Sequence, residues 1–350
     1  MEPRERATFD AGEIAVVLSH YDLGVVESIT EFPRGSRRSP KVGIVAECGK
    51  FLLKRRPASR AQPDRVRLIH RVQLHLAAAG FPLAPLAPTR DGNRTFVQLR
   101  DRVYELFEFV AGHPYERTAD ETFDAGEVLA RFHQATEKFE APPTVLIPRG
   151  DYHDAPAVRT GLCAIGSTLS SHDSFTGDDA ELAVLIQHLL GSYDHAADAA
   201  AACDLTALPE RLIHSDWHPG NLLFRKGKII AVVDYDSVRL ARRIIDVANG
   251  ALQFSILAGG DPATWPSQLD DSRFAAFLSG YRSLLPLDPR ELRAVAPLMI
   301  QALIAECVPP IAETGSIGPW TGYRVLQMVR RKVQWIEAHA SELSTAGRKE

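Results

Sequence analysis

At about residue 118 the hydrophobic pattern changes its period, and this break governs what the chain can fold into. Before it come short β-branched and aromatic runs at 25–32, 41–47 and 51–54, punctuated by Gly and Pro. Such runs predict an antiparallel meander. A helix is expected over 64–79, ended by Gly80 with Pro82 just beyond. Runs at 95–99 and 103–110 then predict a hairpin. After the break, Ala125, Val128, Leu129 and Phe132 recur at helical spacing, behind a capping-box pattern of Thr118 and Glu121. Further helices are expected at 180–202, 245–258, 272–285, 290–307 and 320–341. The last carries an apolar stripe (Val325, Met328, Val329, Val333, Ile336) opposed by Arg330, Arg331 and Lys332. Residues 141–179, rich in Pro, Gly, Ser and Asp, read as a long loop or insertion. The fold class is therefore α+β, with a sheet-plus-helix domain at 1–110 and a mainly helical domain at 111–350.

A chain of 350 residues can bury the cores of two packed lobes. Its 40 basic and 44 acidic side chains leave a formal charge of −4, which predicts neither a nucleic-acid nor a membrane partner. Cys48, Cys163, Cys203 and Cys307 are too scattered for a disulfide scaffold or a zinc site, and imply a reducing compartment. The N-terminus is charged and has no apolar signal core. The most apolar window, 294–308, is interrupted by Pro297, Gln301 and Glu306, and reads as too short to cross a bilayer. The expectation is a soluble, cytoplasmic protein. The sequence leaves its oligomeric state open.

Inside the helical half lies one β-like island. Residues 211–213 lead into His214-Ser215-Asp216-Trp217-His218-Pro219-Gly220-Asn221, then Leu222-Leu223-Phe224, a turn at 225–228, and an apolar strand from Ile229 to Val233 that ends at Asp234. Carboxylates held at strand ends and loops of a rigid scaffold are placed for chemistry. The spacing His214-x-Asp216-x-x-x-x-Asn221 is that of a kinase catalytic loop. Asp216 offers a carboxylate to receive a proton. Asn221 and Asp234 offer hard oxygen ligands of the kind that hold Mg²⁺. These are the parts that phosphoryl transfer from ATP requires. A zinc reading of His214, Asp216 and His218 lacks further ligands.

HSDWHPGNLLF followed by VVDYDS resembles the aminoglycoside phosphotransferase, homoserine kinase-type and choline kinase superfamily, relatives of the protein kinases. The resemblance implies a protein-kinase-like, two-lobed fold with a five-stranded antiparallel sheet, and ATP and Mg²⁺ as cofactors. It implies a small-molecule acceptor bearing a hydroxyl. By the same resemblance, Asp216 is the catalytic carboxylate, and Lys54, in FLLKRR, grips the α- and β-phosphates. Glu108, Phe109 and Val110, in YELFEFVAG, lie beside the adenine, and LARFH (residues 129–133) follows the hinge. Asp246, in IIDVANG, braces the catalytic loop. Segment 33–40 stands where the family has its glycine-rich loop, with Gly35, Ser36, Ser39 and backbone N–H groups to cradle phosphates and Arg34, Arg37 and Arg38 to add charge. His214 supports the loop, and Asp236 either supports the site or meets the substrate. The first 24 residues and 141–179 carry no match.

Two departures stand out. Asp234-Tyr235-Asp236 replaces the protein-kinase Asp-Phe-Gly. No Glu lies between Lys54 and Arg94, so the helix at 64–79 lacks the family's partner for the lysine, and His70 or Arg71 falls there instead. Either Asp64 takes that role, or Lys54 is held by phosphate and Asp234 alone. Alternative functions are a Ser/Thr protein kinase of the same superfamily and a nucleotide-binding pseudokinase. For an aminoglycoside acceptor, Asp151, Asp154, Asp178, Asp179 and Glu181 supply acidic charge. Trp217 and Trp320 read as core residues before pocket residues.

Overall fold

The computed structural model describes residues 7–32, 39–92, 94–140, 155–170 and 177–346. These divide into two compact units. One holds the described residues of 1–114, 135–147 and 221–236; the other holds those of 115–134, 148–220 and 237–350.

In the first unit, β1 (Val26–Glu31), β2 (Lys41–Ala46), β3 (Gly49–Arg55), β4 (Val97–Leu99) and β5 (Arg102–Glu108) form one antiparallel sheet in the order β1-β2-β3-β5-β4. The strands expected from the alternation are all present. Period 2 splits β3 between the two faces of the sheet. Phe51 and Leu53 join Val42, Ile44, Tyr104 and Leu106 in one core cluster, which also contains Val17 of α1 (Ala11–Leu18). Lys54 and Arg56 point to the opposite face, where Val103 packs with Val66 of α2 (Pro63–Ala78). Nothing in the sequence reading anticipated α1. Its cap is a complete capping box, with Asp10 accepting from the Glu13 N–H and the Glu13 carboxylate accepting from the Asp10 N–H. Glu13 also holds Arg55 at 2.7 Å and Arg102 at 3.0 Å, pinning α1 to the sheet.

A hairpin of strands Leu222–Arg225 and Lys228–Val232 belongs to this same unit. A division at residue 110 would assign it to the helical half. It sits with the sheet because its edges are hydrogen-bonded there: Val232 N–H donates to Pro82 O at 3.0 Å, and Phe224 exchanges main-chain bonds with His113 at 2.8 and 2.9 Å.

The second unit is helical, apart from short strand pairs such as Arg211–Ile213 with Arg239–Ala241. The helix Pro289–Thr314 is its hub and packs against Ala155–Ser170, Asp179–Ala201, Ile244–Ser255 and Gly322–Ala338. It runs beyond the expected end at 307, through Pro309 and Pro310, and stops at Gly315 in the left-handed conformation (φ 70°). By length and composition it is the one helix among the described residues that could cross a membrane; two-thirds of its apolar window is buried within the protein. Caps fix the helix starts: Asp178, Asp270 and Asp288 each accept a main-chain N–H, worth about 1 kcal/mol apiece. Thr118 accepts the Glu121 N–H at 3.2 Å, but the Glu121 carboxylate turns to the Glu116 N–H, so only half of that capping box forms. Gly126 and Gly280 let the helices Ala119–Thr136 and Asp271–Arg282 touch main chain to main chain, where a Cβ would collide with Phe277 O or Phe123 O.

Two expectations are corrected here. The segment 141–179 is not all loop: Ala155–Ser170 is a helix, buried through Val158, Leu162, Ile165 and Leu169 at helical spacing. Lys332 does not belong to an exposed polar face. It is fully buried, and its ammonium donates to Pro266 O at 2.9 Å, because the 262–266 segment covers that side of the helix.

Candidate active site

The site residues fall into both units. The first unit gathers a dense set of charges around Lys54. The β3–β5 register sets Lys54 directly opposite Glu105, so both side chains leave the same face of the sheet. The Lys54 ammonium lies 3.4 Å from Asp236 and 3.8 Å from Asp234. Two residues on, Arg56 bridges Glu105 at 2.8 Å and Asp236 at 2.7 Å. His70 of α2 brings Nε2 to 2.6 Å from Glu105 and Nδ1 to 2.7 Å from Thr95 Oγ1. A carboxylate only accepts, so Nε2 carries the hydrogen.

These neighbours decide the charge states. Burial by itself disfavours the Lys54 ammonium, but the charges of Asp234, Asp236 and Glu105 outweigh it and hold the group above the ordinary lysine value. Burial likewise opposes ionisation of Glu105, yet Arg56, the His70 hydrogen bond and Lys54 keep its carboxyl well below the usual range. Of the two expectations for the Lys54 partner, Asp64 fails, and Asp234 does meet the lysine but not alone. Asp64 is turned outward and pairs with Arg67 at 2.6 Å. Asp236 and the Arg56–Glu105 pair stand around the lysine as well.

The same unit brings Asn221 and Asp234 together at the open end of the hairpin. Leu222 pairs with Val232, and the Val233 N–H donates to Asn221 O at 2.9 Å. Asn221 is buried in a turn of 3₁₀ helix, Pro219–Asn221. Asp234 holds φ at +65°, a conformation that non-glycine residues adopt at a cost of about 1 kcal/mol or more. A carboxamide and a carboxylate oxygen are hard donors that suit a small divalent cation. At the far end of β5, the Glu108 N–H donates to Pro85 O and the Phe109 N–H to Lys50 O, both at 2.8 Å. Glu108 and Phe109 are exposed, and Val110 is half-buried. Gly35 and Ser36, with Arg34, Arg37 and Arg38, lie outside the described residues, as do Asp151 and Asp154.

The second unit holds the loop 214–220. Its shape is set by Asp246, fully buried at the start of the helix Ile244–Ser255. Asp246 accepts the His214 N–H at 2.7 Å and the Ser215 N–H at 2.8 Å, and meets His133 Nε2 at 3.2 Å. Ser215 is held at φ +62°. The His214 ring packs edge-on against Phe132 and Trp217, with centroids at 5.9 and 5.4 Å, and all three are fully buried. Trp217 is thus a core residue, and Trp320 packs edge-on against Trp265. Asp216 remains about one-third exposed, with His218 Nε2 at 3.5 Å. His218 Nδ1 accepts the Gly220 N–H at 3.0 Å, which leaves the hydrogen on Nε2, facing Asp216. Among the described residues, His214, Asp216 and His218 do not converge as metal ligands. The three described acidic residues considered for a cationic acceptor are all engaged structurally: Asp178 caps its helix, Asp179 accepts from Ser170, and Glu181 accepts from Tyr323 at 3.1 Å.

Reading the sequence missed Arg56 and Glu105. Arg56 was hidden in a Lys-Arg-Arg run, although its period-2 relation to Lys54 puts both on one face. Glu105 depends on strand register, which no local signal fixed.

Residues 29–298 match the model of the Phosphotransferase enzyme family. A homoserine kinase of Caulobacter sp. (strain K31) is 25% identical over 314 residues, 87% of each chain. Stress response kinase A of Salmonella choleraesuis (strain SC-B67) is 24% identical over 264 residues, 73% of this chain and 69% of the relative. The crystal structure of an aminoglycoside phosphotransferase from Alicyclobacillus acidocaldarius superposes with a TM-score of 0.72 at 17% identity, covering 99% of both chains. An amicoumacin kinase in complex with AMP-PNP, Ca²⁺ and Ami superposes with a TM-score of 0.67 at 15% identity, covering 94% of both.

Proposed function

Since the chain belongs to the Phosphotransferase enzyme family, we propose that it transfers the γ-phosphoryl group of ATP to a hydroxyl of a small molecule, with Asp216 as the catalytic carboxylate. Family membership makes it a kinase with a hydroxyl acceptor; the acceptor's size, the metal and the residue roles are the proposal.

The observation that most strongly supports the reading is the hairpin end. It joins Asn221 to the segment carrying Asp234, and Asp234 stands 3.8 Å from a lysine whose charge is secured by its surroundings. Asn221 and Asp234 would hold Mg²⁺, which when bound would neutralise charge on the phosphate oxygens. Lys54 would take the α- and β-phosphates. Asp216, five residues before Asn221, accepts the acceptor's hydroxyl proton as the new oxygen–phosphorus bond forms and the bond to the ADP oxygen breaks. Its partial exposure leaves the carboxylate open to an incoming alcohol. His218, with its hydrogen toward Asp216, orients that carboxylate.

The homoserine kinase spans 87% of both chains, which puts amino alcohols first among acceptors. The test is turnover of ATP-Mg²⁺ with a panel of amino alcohols, sugars and aminoglycosides. With any acceptor found, Asp216→Ala should lower turnover by about 10³-fold while leaving the fold intact. Undiminished turnover in that variant would remove Asp216 from the chemistry. Likeness to a Salmonella typhimurium relative named as a serine/threonine protein kinase, 24% identical over 264 residues, keeps a protein hydroxyl as the second reading. Incorporation of labelled phosphate into the protein itself, without added acceptor, would favour it.

A further inference from the structure

Helix α2, which packs on the sheet through Val66 and Val103 of β5, carries no carboxylate toward Lys54. Asp64 is its one acidic residue, and that side chain is 88% exposed. His70 of the same helix is buried, with both ring nitrogens engaged. The carboxylate is on the neighbouring strand instead: Glu105, fully buried and opposite Lys54 in the ladder. Its Oε1 receives both His70 and Arg56. Arg56, with 2% of its side chain exposed, reaches on to Asp236 Oδ1, while Lys54 meets Asp236 Oδ2. Arg65 of α2 donates to the main-chain oxygen of Asp236 at 3.0 Å. His70 thus ties α2 to Glu105, and Arg65 ties it to Asp236, the two carboxylate residues that flank Arg56.

Resting on the reading of Lys54 as the phosphate-gripping cation, we propose that Arg56 and Glu105 are its positioning residues, and that His70 makes the helix α2 part of the same device. The carboxylate that related kinases bring from the helix has moved to the adjacent strand, and an arginine relays its hold to Asp236. A planar guanidinium suits this task, because it can serve two carboxylates at fixed angles where an ammonium cannot. Without Arg56, the Asp236 carboxylate keeps only the longer contact to Arg60 at 3.6 Å against the pull of Lys54, and can draw the lysine out of line. Without Glu105, Arg56 loses the anion that fixes its own fork. Lys54 then stays charged but no longer points where a triphosphate needs it.

This role predicts a loss specific to phosphates. Affinities for ATP-Mg²⁺ and for adenosine, measured by calorimetry on the full chain, separate positioning from general damage. Lys54→Met, Arg56→Met and Glu105→Gln should each weaken ATP by about tenfold or more while leaving adenosine unchanged. Arg56→Lys, which keeps the charge but not the fork, should fall between Arg56→Met and the parent. If Glu105→Gln does not fold, His70→Gln tests the same carboxylate from the helix side and should weaken ATP alone. Equal losses for ATP and adenosine in the Arg56 and Glu105 variants would overturn the proposal. So would intact ATP binding in those variants when Lys54→Met has lost it. An unchanged ratio in Lys54→Met itself would instead overturn the phosphate role of the lysine, and the device with it.

Discussion

Among the described residues each unit encloses a lysine, Lys54 with 12% of its side chain exposed and Lys332 with none, and the two surroundings push in opposite directions. Lys54 sits among Asp234, Asp236 and Glu105, and their charges hold its ammonium above the ordinary lysine value against the effect of burial. Lys332 is fully buried with a lone carbonyl, Pro266 O, as its hydrogen-bond acceptor, and burial with the nearby Arg331 brings it down to about 8. Burial is common to both, so the surrounding carboxylates make the difference. They keep Lys54 charged at any physiological pH, as the proposed phosphate role requires. Lys332 is placed to fill a gap beneath the 262–266 segment, and its charge is a cost there.

The contrast is broken most directly by making the same substitution twice. Lys54→Met should lower turnover by about 10²- to 10³-fold, since it removes a cation from the phosphates. Lys332→Met should leave turnover unchanged and raise stability, because a similar apolar volume replaces a buried charge with no carboxylate beside it. Steady-state kinetics and urea unfolding on both variants check this. A large kinetic loss in Lys332→Met would erase the distinction.

The carboxylates differ as well. The Asp236 carboxylate holds side chains alone among the contacts described, whereas Asp246 holds main chain, through the N–H groups of His214 and Ser215, as well as the buried His133 ring. Removing Asp246 strands two buried main-chain donors and leaves His133 without that carboxylate, so Asp246→Ala should cost about 3 kcal/mol of stability together with activity. Unfolding followed by tryptophan fluorescence is a suitable readout, because Trp217 packs against the loop. Asp236→Asn should spare the loop and show its loss mainly as weakened ATP. Equal stability losses in the two variants would mean that both carboxylates are structural.

The sequence makes some of this legible and hides the rest for physical reasons. The strands and most helices follow from period and caps, and their ends fall within a few residues of expectation, except for the helix expected at 290–307, which runs on to Thr314. Asp216, Asn221, Asp234 and Asp246 are visible because a loop and its brace lie close in the chain, with fixed spacings. Helix α1 was missed although Asp10 and Glu13 spell a capping box ahead of an apolar run. Ala155–Ser170 was missed because Pro, Gly and Asp on either side masked four apolar residues at helical spacing. Arg56 and Glu105 act through a pairing between β3 and β5 about fifty residues apart, and register at that distance leaves no local mark. Lys332 was misassigned because helical periodicity identifies one apolar face; it gives no warning that a distant loop covers the other.

That misassigned lysine gives the smallest and most distinctive effect. Its folded-state value is about 8, against about 10.4 for an ordinary exposed lysine. Below pH 8 both the folded and the unfolded states carry the charge, and the folded state bears the cost of burying it. As pH rises through 8 the folded state releases its proton first. The unfolded state binds more protons over this window, so stability climbs with pH and levels off once the unfolded lysine also titrates. One unit of separation is worth about 1.4 kcal/mol, so the gain from pH 7 to pH 9 should be about 1.5 kcal/mol. Between pH 7 and pH 9 the urea midpoint of the parent protein should gain on that of Lys332→Met. The Lys54 side chain, raised instead of lowered, contributes nothing in this interval, and the buried Cys307 thiol, pushed up to about 12, acts equally in both proteins. Parallel profiles for the two proteins would place the titrating group elsewhere, and would end the claim that the two buried lysines are opposites.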